Sequence, residues 1–152
     1  MAMDKDQRNS PEWLCSRGKE LLKSGDRLRA LNMFEKSYEL APNTECRSYL
    51  GMLTGIERGL IKKGIDLCRT AIEEDPNNPI HYLNLGKLLY MVERKSEAVD
   101  LLVKARTIAP SEEVDSWIRN LGQRKRPVFP FLTRRNPLNR YTGLMLKRFG
   151  LR

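Results

Sequence analysis

The sequence has little of what catalytic and metal sites are built from. It contains one histidine, His81, and three cysteines, Cys15, Cys46 and Cys68, in 152 residues. No Cys-x-x-Cys pair is present, and His81 has no Cys, Ser or Asp partner at a recognisable spacing. These absences argue against a zinc site and a disulfide framework, and they suit a reducing compartment. We expect the cysteines to be small apolar side chains at packed positions, and His81 to lie at the surface or at a groove rim.

Long apolar runs are absent as well. No segment approaches the ~20 residues that a membrane-spanning helix needs, and residues 1–10 are polar without the apolar core of a signal peptide. The chain also lacks a Gly-rich phosphate loop, an HExxH motif and a G-x-S-x-G motif. We therefore expect a cytoplasmic, non-enzymatic protein with no cofactor and no metal, and with a flexible N-terminus at residues 1–10.

Acidic residues are missing from residues 124–152, although this segment holds nine Lys and Arg residues. Removing those nine from the 28 basic residues of the chain leaves 19 basic against 19 acidic residues in 1–123. The net charge of +9 therefore lies on the C-terminal segment, and the high pI describes an extension rather than a basic fold.

What the sequence does have is an internal repeat, in which Pro42, Pro76 and Pro110 are equally spaced. Small residues recur in register with these prolines at Ala30, Gly64 and Ala98, and at Ser37, Ala71 and Ala105. A period of about 34 residues indicates stacked helical hairpins, because one hairpin cannot bury its own apolar face. Capping residues and breakers predict helices at about 11–24, 27–40, 44–58, 60–74, 79–92, 95–108 and 111–123.

Two of the three repeats resemble the tetratricopeptide repeat signature. The matching residues are Leu14, Gly18, Leu21, Ala30, Phe34 and Pro42, and then Tyr82, Leu85, Gly86, Leu89, Ala98, Ala105 and Pro110. The resemblance implies an all-α, right-handed superhelix of the bacterial type, with repeats at 11–44, 45–78 and 79–110 and a capping helix at 111–123. The middle repeat departs from the signature at Ser48, Gly51, Met52 and Gly55, which predicts a looser helix over 45–58.

The resemblance also implies a concave groove, lined by the first helix of each repeat, in which the family binds peptides or proteins. By the family geometry the groove residues include Glu12, Cys15, Lys19, Leu22, Cys46, Tyr49, Leu53, Ile56, Ile80, Leu83, Lys87, Tyr90 and Met91. The family's carboxylate clamp is absent, since Cys15, Lys19, Leu50, Ile80 and Asn84 stand at its positions. We expect an apolar or aromatic surface for an amphipathic helix or an extended segment, unless part of this stripe packs under the superhelix.

The C-terminal extension, 124–152, combines its charge with apolar residues. Residues 128–132 are predicted to be extended because of two prolines, and residues 138–149 to form a short amphipathic helix. Its candidate contact residues are Arg124, Lys125, Arg126, Phe129, Phe131, Arg134, Arg135, Arg140, Tyr141, Lys147 and Arg148. Four interpretations remain open: docking on its own repeats or a second copy, docking on another protein, an anionic membrane surface, or RNA or DNA with aromatic stacking.

Overall fold

A computed structural model describes residues 9–122 of the chain. Its seven helices are α1 Pro11–Lys23, α2 Arg27–Leu40, α3 Thr44–Arg58, α4 Ile61–Glu74, α5 Pro79–Met91, α6 Lys95–Ile108 and α7 Glu112–Gly122. Each bound lies within one residue of the position predicted from the sequence, and no strand occurs over 9–122. The predicted all-α fold class is confirmed. None of the described helices is both long and apolar enough to cross a membrane.

The helix bounds follow from local capping. The side chain of Ser10 accepts a hydrogen bond from the Trp13 backbone N–H at 3.2 Å, and that of Asn43 accepts one from the Cys46 N–H at 2.7 Å. Such caps satisfy N–H groups that have no partner within the helix. At the end of α3, Gly59 adopts φ 69°, a left-handed conformation that costs glycine little. The turn between α3 and α4 is therefore set by the sequence itself.

Successive helices pair as three antiparallel hairpins, and glycine allows close helix approach in each. In the first, a Cβ atom added at Gly18 would lie 2.8 Å from the Phe34 ring. In the third, a Cβ atom at Gly86 would lie 3.1 Å from Leu102 Cγ. In both outer hairpins a large side chain of the second helix thus fills the space above a glycine of the first.

The middle hairpin closes differently, by backbone against backbone. A Cβ atom at Gly64 would lie 2.5 Å from the carbonyl oxygen of Gly51 and 3.0 Å from the backbone of Gly55. The predicted looseness of 45–58 is wrong, since α3 is continuous and its backbone meets that of α4 directly. The physical reason is that the residues departing from the signature on α3 include two glycines: Gly51 faces Gly64 of α4, and a side chain at Gly55 would meet Leu88 of α5. Their missing side chains permit close contact.

The apolar core runs through all three hairpins. It contains the fully buried side chains of Phe34, Leu53 and Leu88, and a second cluster around Leu102 and Val114 joins the third hairpin to α7. The thiols of all three cysteines are free, and the three side chains are buried at packed positions, as their sequence context predicted. Burial raises the pKa of the Cys68 thiol to about 12. Hydrogen bonding with Cys46, together with burial, raises the pKa of the Cys15 thiol.

His81 is not at the surface or at a groove rim, so that prediction is wrong. The side chain is fully buried, because α5 is packed against α3, α4 and α6. Neither ring nitrogen makes a hydrogen bond within residues 9–122, and Nε2 lies 3.8 Å from an oxygen of Asp75. Burial lowers the pKa of His81, although the carboxylates of Asp75, Glu45 and Glu74 act in the opposite direction. His81 is therefore an uncharged core residue at neutral pH.

Candidate binding groove

A groove of about 450 Å³ crosses the first helices of the hairpins and reaches α7. It lies mainly on α1, α3, α5 and α7, with one residue from the start of α2. Its lining residues are Lys19, Leu22, Lys23, Arg27, Tyr49, Met52, Leu53, Ile56, Lys87, Met91, Glu113 and Trp117. The surface combines a central apolar strip with basic side chains, and no single hairpin supplies it.

The floor of the groove comes from α3. Leu53 and Met52 are buried in the core, while Ile56 is half-buried beside them. The Tyr49 ring stacks on Phe34, with ring centroids 4.8 Å apart and planes 5° from parallel. Burial raises the pKa of the Tyr49 hydroxyl. The floor is thus a rigid apolar surface whose aromatic residue is held by the first hairpin.

The far wall of the groove is built around Trp117 of α7. The Tyr90 ring meets Trp117 edge-on, with centroids 5.6 Å apart and an angle of 77° between the planes. The ammonium nitrogen of Lys87 lies 5.8 Å from the centre of the indole ring, a cation–π contact. Glu113, one turn earlier on α7, lies 2.6 Å from the same nitrogen. Helix α7 therefore contributes to the groove as well as covering the third hairpin.

Most of the groove cations are paired with carboxylates on another helix. Lys19 Nζ lies 2.9 Å from Glu45, Lys87 Nζ lies 2.6 Å from Glu113, and an Arg27 nitrogen lies 3.5 Å from Glu57. Burial alone lowers the pKa of Lys19, but the hydrogen bond and the charge of Glu45 raise it overall. The groove lining itself carries four cations against one carboxylate, that of Glu113. Its face is therefore basic even though nearby glutamates compensate much of the charge.

The structure brings together most of the groove residues predicted from the sequence. Lys19, Leu22, Tyr49, Leu53, Ile56, Lys87 and Met91 all line the same groove. Their part in binding a partner stays a prediction.

Several other predicted residues lie elsewhere, so their placement in the groove is corrected. Cys15 and Cys46 are buried and interact with each other between α1 and α3. Leu83 is buried in the cluster beneath α7. The Tyr90 ring contacts Trp117 edge-on and lies behind the groove-lining residues. Glu12 and Ile80 also lie outside the groove lining. The sequence assigns these residues to a helix but does not show which side chains the neighbouring helices cover.

Lys23, Arg27, Met52, Glu113 and Trp117 line the groove without having been predicted there. The signal for Glu113 was present, since Lys19 and Lys87 recur at twice the repeat period and so do Glu45 and Glu113. Trp117 belongs to the apolar stripe of α7, and its position over the groove depends on how α7 docks. The predicted contact residues of the C-terminal extension lie outside the described residues. Within 9–122, no group of three His, Cys, Asp or Glu side chains is placed to hold a metal ion.

Comparison with known proteins identifies the architecture. A family model described as tetratricopeptide repeat matches residues 67–100, from within α4 to within α6. No curated protein matches the chain at a significant level.

Solved structures of similar fold come from several sources. The first TPR of Spaghetti (RPAP3), bound to the HSP90 peptide SRMEEVD, is 16% identical with a TM-score of 0.57, covering 75% of this chain and 91% of that one. The TPR2B domain of yeast Sti1, in a pHsp70 complex, is 22% identical with a TM-score of 0.57, covering 74% and 96%. An O-GlcNAc transferase mutant from Thermobaculum terrenum is 25% identical with a TM-score of 0.62, covering 79% of this chain but 23% of that one.

These likenesses confirm the resemblance read from the sequence, while its assignment to a bacterial type stays a prediction. Residues 67–100 carry a tetratricopeptide repeat, and the seven described helices have the tetratricopeptide-repeat fold.

Proposed function

We propose that this protein is a non-enzymatic scaffold that binds a peptide or protein partner in the groove across α1, α3, α5 and α7. The observation that carries this proposal is the groove itself, in which half-buried and exposed apolar side chains such as Leu22, Ile56 and Met91 lie between basic residues. An apolar strip with polar edges is what a helical or extended segment needs for docking. Two structures of the same fold, those of RPAP3 and Sti1, were determined in complexes with chaperone-derived ligands, which supports the proposal.

The test is a selection of random peptides displayed as internal segments, using the full chain as bait. Ile56→Ser with Met91→Ser removes apolar surface from the groove and leaves the buried floor residues Met52 and Leu53 in place. The matched control is Leu28→Ser with Val103→Ser, two exposed apolar residues outside the groove. We expect peptides that bind the wild type and the control variant but not the groove variant. Selected peptides that bind all three proteins alike would contradict the proposal.

Tyr49→Ala is a poorer probe of partner binding than its position suggests. The stacking of Tyr49 on Phe34 means that alanine would leave a hole between α1, α2 and α3. Loss of binding in that variant would reflect packing as well as contact. Met91 separates the two effects best because it is 49% exposed, whereas Tyr49 and Ile56 are both half-buried and pack against the core.

A second candidate function, binding of nucleic acid or of an anionic membrane surface, rests on the C-terminal extension, whose residues 124–152 carry nine basic and no acidic side chains. Binding of this kind weakens steeply with salt. The probes are a single-stranded oligonucleotide and vesicles containing phosphatidylserine, each titrated with the full chain and with a chain ending at residue 123. Salt-sensitive binding that is retained by the truncated chain would contradict a binding function of the extension.

Three further expectations from the sequence remain predictions. Self-association through the extension predicts that light scattering finds a larger species for the full chain than for the truncated chain. Occupation of the groove by the extension predicts that the chain ending at residue 123 binds groove peptides more tightly than the full chain. A cytoplasmic location would be checked by cell fractionation.

A further inference from the structure

The charge of the groove points to one class of occupant, and this inference rests on the proposed function of the groove. We infer that the partner supplies an acidic, amphipathic segment from within its chain. Its apolar side chains cover the strip formed by Leu22, Ile56 and Met91, and its carboxylates replace Glu45 and Glu113 as the partners of Lys19 and Lys87. While no segment is bound, the two glutamates are the ion-pair partners of these lysines.

Cations outnumber carboxylates in the groove lining. Lys19, Lys23, Arg27 and Lys87 line the groove together with the carboxylate of Glu113. Glu45 and Glu57, outside the lining, pair with Lys19 and Arg27, so four cations stand against three carboxylates. Opposite charge across an interface speeds encounter and rejects partners of the wrong sign. A basic or neutral segment with the same apolar residues would gain the same apolar contact without this attraction.

Both ion pairs join helices that are neighbours along the groove. Lys19–Glu45 joins α1 to α3 and Lys87–Glu113 joins α5 to α7, and both pairs have the same separation along the chain. The Lys87 side chain is 16% exposed, whereas that of Glu113 is 60% exposed. Trp117 also contacts the Lys87 ammonium group, so the lysine remains in place when its carboxylate changes. Exchange of one carboxylate for another returns an exposed Glu113 to water at little cost.

The spacing of the lysines sets the length of the occupant. Helices α1 and α5 are separated by α3 in the stack of first helices, so their axes lie at least ~16–20 Å apart, at about 8–10 Å per close helix contact. An extended segment covers this distance with about five or six residues at ~3.3 Å each. A helix needs about 11–13 residues at ~1.5 Å each. Carboxylates at one of these two spacings are expected in the segment.

A free C-terminal carboxylate is not required by this arrangement. Asn84 is fully buried and donates a hydrogen bond to Ser48 Oγ at 3.0 Å, so its amide does not face the groove. Cys15 is buried beside Cys46. The remaining contacts available to carboxylates come from cations that do not distinguish a side-chain carboxylate from a chain end. An internal acidic segment therefore meets the same chemistry as a terminal one.

The peptide selection described above also tests this inference, with a readout separate from that of the proposed function. Peptides that require the Ile56 and Met91 surface are expected to be enriched in Asp and Glu beside Leu, Ile or Phe. Groove-dependent peptides without an excess of acidic residues would overturn the inference and leave the proposed function intact. Failure to obtain any groove-dependent peptide would overturn both.

Two double variants then test the exchange of carboxylates, using a selected acidic peptide with an amidated C-terminus and fluorescence anisotropy at about 50 mM salt. Lys19→Ala with Lys87→Ala is expected to weaken binding about 3- to 10-fold. The control, Lys62→Ala with Lys63→Ala on α4, should leave binding unchanged. Glu45→Gln with Glu113→Gln is expected to strengthen binding, because the two carboxylates that compete with the peptide for the lysines are removed. Weaker binding in the glutamine variant, at unchanged helicity by circular dichroism, would show a structural role for the glutamates and overturn the inference.

Discussion

The middle hairpin and the two outer hairpins solve the same packing problem by different means. In the outer hairpins, a large side chain lies over a glycine, Phe34 over Gly18 and Leu102 over Gly86. In the middle hairpin, Gly51 and Gly55 of α3 meet Gly64 of α4 with backbone against backbone. A side chain can turn or shift to accept an added methyl group, whereas a helix backbone moves only as a unit. Substitution by alanine should therefore have graded effects.

The comparison also shows why departure from a repeat signature does not by itself indicate a weak repeat. The signature describes which side chains usually fill the hairpin. Where the filling residue is small, the helices can approach further, provided that the partner helix is small at the same level. Gly51 and Gly64 meet this condition, and Cys68 fills the adjoining space on α4.

Gly64→Ala should give the largest effect. A Cβ atom at this position would lie 2.5 Å from the Gly51 carbonyl oxygen. This oxygen is a backbone atom, so it cannot move away by a change of side-chain rotamer. We expect the free energy of unfolding to fall by about 3 kcal/mol or more, measured by urea denaturation. Lys63→Ala, the exposed neighbour on α4, is the control and should change stability little. A loss below about 1 kcal/mol for Gly64→Ala would show that the two helices separate easily.

Gly18→Ala should have an intermediate effect. The added methyl group would meet the end of the Phe34 ring at 2.8–3.0 Å, and this ring is also held by Tyr49. We expect a loss of about 1–3 kcal/mol. Phe34→Leu shortens the opposing side chain, so the double variant should be more stable than the sum of the two single effects predicts. Simple additivity in this cycle would mean that the ring is not what opposes the new methyl group.

His81 offers a comparison across the interface of the middle and third hairpins instead of within one hairpin. Burial lowers its pKa, so the unfolded chain binds a proton more readily than the folded chain. Stability is therefore expected to fall as the pH drops below about 6.5, by at most ~1.4 kcal/mol per pH unit. His81→Gln removes this titration. A wild-type profile between pH 7.5 and 5 that runs parallel to that of the glutamine variant would contradict the prediction.

Gly86→Ala should have the smallest effect of the series. The nearest atoms to an added Cβ are Leu102 side-chain atoms at 3.1 and 3.2 Å, which need to move by only a few tenths of an ångström. Alanine also favours a helix over glycine by about 1 kcal/mol. The two terms nearly cancel, and thermal unfolding should give a midpoint close to that of the wild type. A loss as large as that expected for Gly64→Ala would place this hairpin with the middle one and remove the contrast between them.

Much of the fold was predictable because it is encoded locally. Ser10 and Asn43 cap their helices through hydrogen bonds to residues three positions later, and Gly59 supplies a left-handed turn. The periodic recurrence of Ala30, Gly64 and Ala98 then fixes which faces of the helices pair. Such features depend on residue type and spacing, and both can be determined from the amino-acid sequence.

The groove was predictable only in outline. Placing its lining on α1, α3 and α5 required the repeat frame, and this identified residues such as Tyr49, Ile56 and Lys87. The errors concerned burial, since Cys15, His81 and Leu83 lie on the same helices but under their neighbours. Helical periodicity gives the direction of a side chain relative to its own axis. Which direction faces solvent depends on the crossing of two or three other helices.

The sequence by itself determined the repeat length, the helix bounds, the location of the net charge and the absence of familiar catalytic motifs. Tertiary structure alone decided that Trp117 forms a groove wall, that His81 is a buried core residue, and that Lys19 and Lys87 are paired with glutamates on the next helix along the groove. The physical reason is the separation in sequence between the residues that interact. Caps and turns arise from hydrogen bonds over a few residues, whereas burial and ion pairing arise from helices far apart in the chain that meet only when the hairpins stack.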